Sequence, residues 1–155
     1  MDSPAATYKP FVSLLRRLQL TSGNLRSEIS KELGISMSEL NALSHVTDNE
    51  NLTPKKLSGL MDLTTGSTTT MIDRLARAGF LARQPHPTDR RSVLLTLTPS
   101  GKQAMKWINE HYLDAVAAAF GSSPGSRLDA QTEFLEALVK SMEDSMPGQK
   151  LPPAT

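Results

Sequence analysis

The stretch RQPHPTDRRSVLLTLTPSGKQAM, residues 83–105, sets Arg83, Arg90 and Arg91, two prolines and Asp89 ahead of a β-like run. Within that run Val93, Leu95 and Leu97 alternate with Ser92, Leu94 and Thr96, the period-two pattern of a strand. Phe80–Gln84 is the other strand candidate, and Pro85–Arg91 between them is a hairpin tip too long for a two-residue turn. Thr98-Pro99 then supplies a threonine cap and a proline at the first helical position, where its missing N–H costs nothing.

Upstream, Thr64 caps a helix that runs to Ala78, with Gly79 as its stop. Met71, Ile72, Leu75 and Ala78 share one side. The opposite side carries Gly66, Thr69, Thr70, Asp73 and Arg77, flanked by Ser67 and Arg74. Thr53-Pro54 starts a short helix with Leu57, Leu60 and Met61 as its apolar face. Before it, Ser36 and Glu39 form a capping box for a helix carrying Leu40, Leu43 and Val46, and Thr47–Asn51 is a connection.

The outer segments are helical too. Apolar residues at 11, 15, 18, 25, 29 and 33 predict a long helix ending at Gly34, with Thr21–Asn24 as a place for a kink and residues 1–7 as a frayed start. Downstream, Ala104, Ile108, Tyr112, Ala115 and Ala119 mark a helix to about Phe120, and Gly121–Ser126 a loop. Leu128, Leu135, Leu138, Val139, Met142 and Met146 mark a last helix before a tail from Pro147. The expected fold is mainly α with a small β-hairpin wing (α+β): a winged helix-turn-helix over 35–100, flanked by helices in 1–34 and 101–147, with 148–155 as tail.

Composition narrows the function. The 155 residues suit one domain, or one domain with an oligomerisation appendage. With no cysteine, disulfides, thiolate catalysis and cysteine–zinc sites are excluded. His45, His86 and His111 are scattered without metal-ligand spacing, so no metal or cofactor is expected. No paired carboxylates, nucleophile–base motif or phosphate-cradling glycine loop points to an enzyme. No apolar run reaches membrane length and no signal core opens the chain, so a soluble, cytoplasmic protein is expected. The net charge of +1 divides unevenly: residues 1–63 sum to 0, 64–102 to +4 and 103–155 to −3. Positive charge is concentrated where a polyanion would be met.

In a helix-turn-helix the second helix enters the DNA major groove. Thr65, Ser67, Thr69 and Thr70 can reach bases or phosphates, while Lys55, Arg74 and Arg77 are better placed on the backbone. A stiff tip bearing Arg90 and Arg91 can enter a narrow minor groove, with Asp89 orienting an arginine. A capped and solvated helix with a surface ion pair is the other reading of these residues.

As a set, GSTTTMIDRLARAGFLARQPHPTDRRSVLLTLTPSGKQAM (66–105) and LTPKKLSGLMDLT before it resemble the MarR family of winged-helix transcriptional regulators. The matching positions are Asp73-Arg74-Leu75, Gly79, Asp89-Arg90-Arg91 and Leu97-Thr98-Pro99-Ser100-Gly101. The resemblance implies that Arg91 enters the minor groove, positioned by Asp89. It also implies that Asp73 couples helix to wing by pairing with a wing arginine; Arg77, one turn on, is its other possible partner. Thr69-Thr70 stands where many members have Thr-Arg, so a major-groove arginine is lost.

The flanking helices are then implied to be dimerisation helices. The protein would be a homodimer on a pseudo-palindromic operator in double-stranded DNA, a cytoplasmic bacterial or archaeal regulator held at the nucleoid when bound. A repressor released by a small aromatic or anionic effector is expected, with His45, Trp107, His111 and Tyr112 as pocket candidates whose other reading is core or surface. The family's thiol-based peroxide sensing is excluded by the absence of cysteine. The alternative is a winged-helix protein-interaction module without DNA binding.

Overall fold

A computed structural model describes residues 4–89, 91–121 and 125–145. The chain forms helices α1 (Pro4–Glu32), α2 (Met37–Asp48), α3 (Pro54–Leu60) and α4 (Thr65–Arg77), then strands β1 (Leu81–Pro85) and β2 (Val93–Leu97), then helices α5 (Pro99–Phe120) and α6 (Gly125–Asp144). It divides into two compact units, residues 1–109 and 110–155. The first contains α1 to α4, the hairpin and the start of α5; the second contains the rest of α5 and α6.

The core of the first unit follows from the apolar spacing. Leu40 and Leu43 of α2, Leu57 of α3 and Ile72 and Leu75 of α4 are all 0% exposed. Each such side chain contributes roughly 1.5–3 kcal/mol through burial. Ile29 of α1, Leu81 and Leu95 of the hairpin and Ile108 of α5 close the core around them. Arg26 of α1 reaches α2 as well, donating to Asn41 Oδ1 at 2.9 Å and Ser44 Oγ at 3.1 Å.

Local chemistry sets the element ends. The capping box is complete: the Glu39 N–H donates to Ser36 Oγ (3.2 Å) and the Ser36 N–H to Glu39 Oε2 (2.7 Å). Thr53 accepts from the Lys56 N–H and Thr64 from the Ser67 N–H, both at 3.2 Å. Between α3 and α4, Ser58 Oγ donates to the Leu63 carbonyl at 2.5 Å while Asp62 takes a positive φ of 50°. Gly79 turns the chain out of α4 at φ 80°, a conformation a β-carbon would oppose.

The strands pair antiparallel, with Leu81 opposite Leu97, Arg83 opposite Leu95 and Pro85 opposite Val93. On the far side of β2, the Leu95 N–H donates to the Leu52 carbonyl at 2.8 Å and ties the hairpin to the segment before α3. At the hairpin base, Thr98 donates its N–H to the Phe80 carbonyl (3.1 Å) and its hydroxyl to the Gly79 carbonyl (2.5 Å). The same Thr98 oxygen accepts from the Gly101 N–H at 3.0 Å, so it caps α5 as well.

Several expectations need correction. The first helix begins at Pro4, with no frayed start up to residue 7 among the described residues, and runs unbroken through Thr21–Asn24. Its backbone hydrogen bonds carry the glycine because the surrounding turns are good helix formers. Asp48 extends α2 into the expected connection. Leu60 is half exposed and Ala78 is exposed, so the apolar faces of α3 and α4 are narrower than their periodicity suggested. Gly125 and Ser126 belong to the start of α6, not to the loop. Met146, Pro147 and the tail 148–155 lie outside the described residues.

Candidate nucleic-acid interface

Helix α4 presents two unlike faces. Thr68, Met71, Ile72 and Leu75 are buried, whereas Thr65, Gly66, Ser67, Thr69, Thr70, Arg74 and Arg77 are exposed. Thr68, a polar residue without a sequence signal for burial, is 1% exposed and lies in the core, its hydroxyl donating to the Thr64 carbonyl at 3.0 Å. Ser67, Thr70 and Arg74 line a shallow cleft with Ser36, Ser38 and Glu39 at the start of α2. The first turns of α2 and α4 both border this cleft, with the Glu39 carboxylate in its lining. Lys55 is exposed on α3.

The wing is held to α4 by charge. Arg83 Nη2 of β1 donates to Asp73 Oδ1 at 2.7 Å, with the two side chains 36% and 48% exposed. Arg77, the other possible partner of Asp73, instead donates from Nε to the Asp73 carbonyl at 3.3 Å. The resemblance implied a wing arginine as the partner of Asp73 without saying which; in the structure it is Arg83, 10 residues on and on a different element. Only the hairpin register, which puts Arg83 opposite Leu95, brings it back over α4.

At the tip, Asp89 Oδ1 accepts from the backbone N–H of Arg91 at 3.0 Å. Asp89 thus fixes the main chain of Arg91 through a local turn. His86 supplies a second, unforeseen fastening: its Nδ1 accepts from the N–H groups of Thr88 (3.3 Å) and Asp89 (3.1 Å). Its position between two prolines was the sequence signal for a role in the turn. The Arg91 side chain remains exposed, and Arg90 lies outside the described residues.

Within the first unit, two of the pocket candidates line separate clefts. Trp107 lines a cleft with Leu33, Phe80, Gln103 and Ala104, while His45 lines another with Arg26, Asn41 and Ser44. His111 and Tyr112 belong to the second unit. Among the described residues no group of three or more His, Asp or Glu side chains has metal-binding geometry, and no helix is long and apolar enough to cross a membrane.

A short helix, a turn, an exposed second helix and a two-stranded hairpin in one packed unit define a winged helix-turn-helix protein. The family model described as "MarR family" matches residues 35–93. The uncharacterized HTH-type transcriptional regulator Mb0904 of Mycobacterium bovis is 36% identical over 108 residues, covering 68% of this chain and 76% of that protein. Matches to curated relatives span from 50% to 76% of those proteins' lengths. Among solved structures, a MarR family protein from Bacillus stearothermophilus aligns with a TM-score of 0.74 at 23% identity, over 92% of this chain and 99% of that one. A mutant of S. aureus MepR bound to an oligodeoxyribonucleotide aligns with a TM-score of 0.61 at 14% identity, over 85% and 97% of the two chains. The chain belongs to the MarR family and is a transcriptional regulator of that family.

Proposed function

We propose that the protein is a homodimeric, sequence-specific DNA-binding repressor released by a small aromatic or anionic effector. In this reading α4 enters the major groove, with Thr65, Ser67, Thr69 and Thr70 toward the bases and Lys55, Arg74 and Arg77 on phosphates. The wing enters the minor groove through Arg91, with Arg90 beside it and Asp89 setting the turn. Residues 35–100 are the DNA-binding part, and the helices in 1–34 and 101–147 pair two chains. A cytoplasmic location follows from the target.

The observation that carries the reading is the Asp73–Arg83 ion pair. It holds the wing strand against α4 while Thr69, Thr70, Arg74 and Arg91 all stay exposed. Two grooves can then be met at once by one rigid unit. The DNA-bound MepR structure is a protein of the same fold with an oligodeoxyribonucleotide in place. For the effector, the Trp107 cleft offers an aromatic wall and the His45 cleft offers Arg26.

The test is fluorescence anisotropy on a duplex from the gene's own upstream region and on a shuffled duplex, across a salt series. Wild type is expected to prefer the native duplex with a steep salt slope. Arg91→Ala is expected to weaken binding about tenfold or more, the worth of lost charge-assisted hydrogen bonds. Weak, sequence-blind binding indifferent to Arg91 would overturn the reading and leave a protein-interaction module.

A further inference from the structure

The hydroxyl groups on the exposed face of α4 are not equivalent. Thr69 donates its Oγ1 proton to the Thr65 carbonyl at 2.8 Å, and Thr70 donates to the Gly66 carbonyl at 3.0 Å. A threonine side chain has one proton to give. With both protons turned back onto the helix, these two exposed residues are left with a methyl group and the lone pairs of the hydroxyl oxygen. Ser67 differs: its oxygen accepts from Thr64 Oγ1 at 2.9 Å, which leaves its own proton for an outside acceptor. Arg77 spends its Nε on the Asp73 carbonyl, and Arg74 lies toward the flank, a full turn beyond Thr70.

The major-groove edges of the bases differ in what they ask of such a surface. Guanine shows two acceptors and so requires donors; thymine shows its C5 methyl group; adenine and cytosine show an amine. A thymine·adenine pair carries a methyl and an amine together, which suits a methyl beside a lone pair. A cytosine·guanine pair carries the amine but no methyl.

Building on the DNA-binding reading above, we propose that Thr69 and Thr70 are specificity-determining residues that select thymine·adenine pairs through methyl contact. Position 70, with no proton to offer, does not read guanine. The half-site under the N-terminal half of α4 is accordingly thymine-rich in the major groove.

A minor-groove arginine also favours A·T sequence, so base composition alone does not separate the two sources. The thymine C5 methyl does, because it lies in the major groove and the wing never meets it. The experiment selects duplexes from a randomised pool with the full chain, then replaces each selected thymine in turn by deoxyuridine and measures affinity at fixed salt. Wild type is expected to enrich thymines in each half-site. Deoxyuridine at the positions under α4 is expected to weaken binding about fourfold each, the effect of one buried methyl group.

The isosteric double variant Thr69→Val/Thr70→Val keeps the methyl groups and is expected to retain the thymine preference. Thr70→Arg is expected to move the preference at its contact toward guanine. Indifference to deoxyuridine, enrichment of guanine by the wild type, or loss of the thymine preference in the valine variant would each overturn the proposal with DNA binding intact. Failure to enrich any duplex would overturn the DNA-binding reading itself and this proposal with it.

Discussion

A β-carbon on Gly101 would come within 2.1 Å of the Phe80 carbonyl oxygen, an atom already accepting from Thr98. Glycine inside a helix ordinarily costs about 1 kcal/mol against alanine, so Gly101→Ala at an open site would stabilise. Here the backbone contact cannot swing aside, and overpacking of this kind costs about 1–3 kcal/mol. The clash wins. We expect Gly101→Ala to lower the urea midpoint and to loosen the hairpin base, which amide exchange at Thr98 would register. The Asp73–Arg83 pair acts differently at the same scale. Both side chains are more than a third exposed, so it adds less than about 1 kcal/mol to folding. Its role is to set the direction of β1 over α4.

The caps of α2, α3, α4 and α5 repeat one device, a hydroxyl residue just ahead of the first helical turn. For α2 the device is doubled by Glu39, a carboxylate only 8% exposed. Ser36→Ala removes the acceptor of the Glu39 N–H and should cost about 1 kcal/mol, read as a shifted denaturation midpoint with an unchanged slope. Such caps were legible in the sequence because they depend on residues three apart. So was the hairpin, whose alternation and flanking glycine and proline are equally local. For Asp73 a wing arginine was implied by the resemblance but not which one: i, i+4 spacing offers Arg77, while the folded register delivers Arg83. The helical stripes were legible as helices but not as faces. Ile29 and Ile108 pack in the core, whereas Leu18 and Val139 on the same kinds of stripe are 60% and 54% exposed. Periodicity reports that a face is apolar without reporting what covers it.

Across the whole molecule those uncovered faces are extensive. Leu14, Leu18 and Leu20 on α1, Leu113 and Val116 on α5, and Leu135, Val139 and Met142 on α6 are each 47% exposed or more. Large apolar side chains left exposed on a helix face mark an association site. In a monomer Leu18→Asp would alter stability within about 0.5 kcal/mol, as exposed substitutions usually do. In the homodimer proposed above it places a charge in the contact. We expect the wild type to sediment as a dimer, and Leu18→Asp together with Val139→Asp to sediment as a folded monomer with sharply reduced duplex affinity. A monomeric wild type would refute the paired arrangement.

The fastenings at Leu52, Gly79 and Phe80 all lie below the point where the His86 N–H meets the Ser92 carbonyl. Those fastenings, and the pairing of Leu81–Pro85 with Val93–Leu97, are made by residues outside the six from His86 to Arg91. That tip is an interchangeable part: its length, charge and reach can be redrawn while the scaffold beneath keeps its pairing. A lineage with this clasp can retarget its regulator by editing one loop, without having to rediscover the fold.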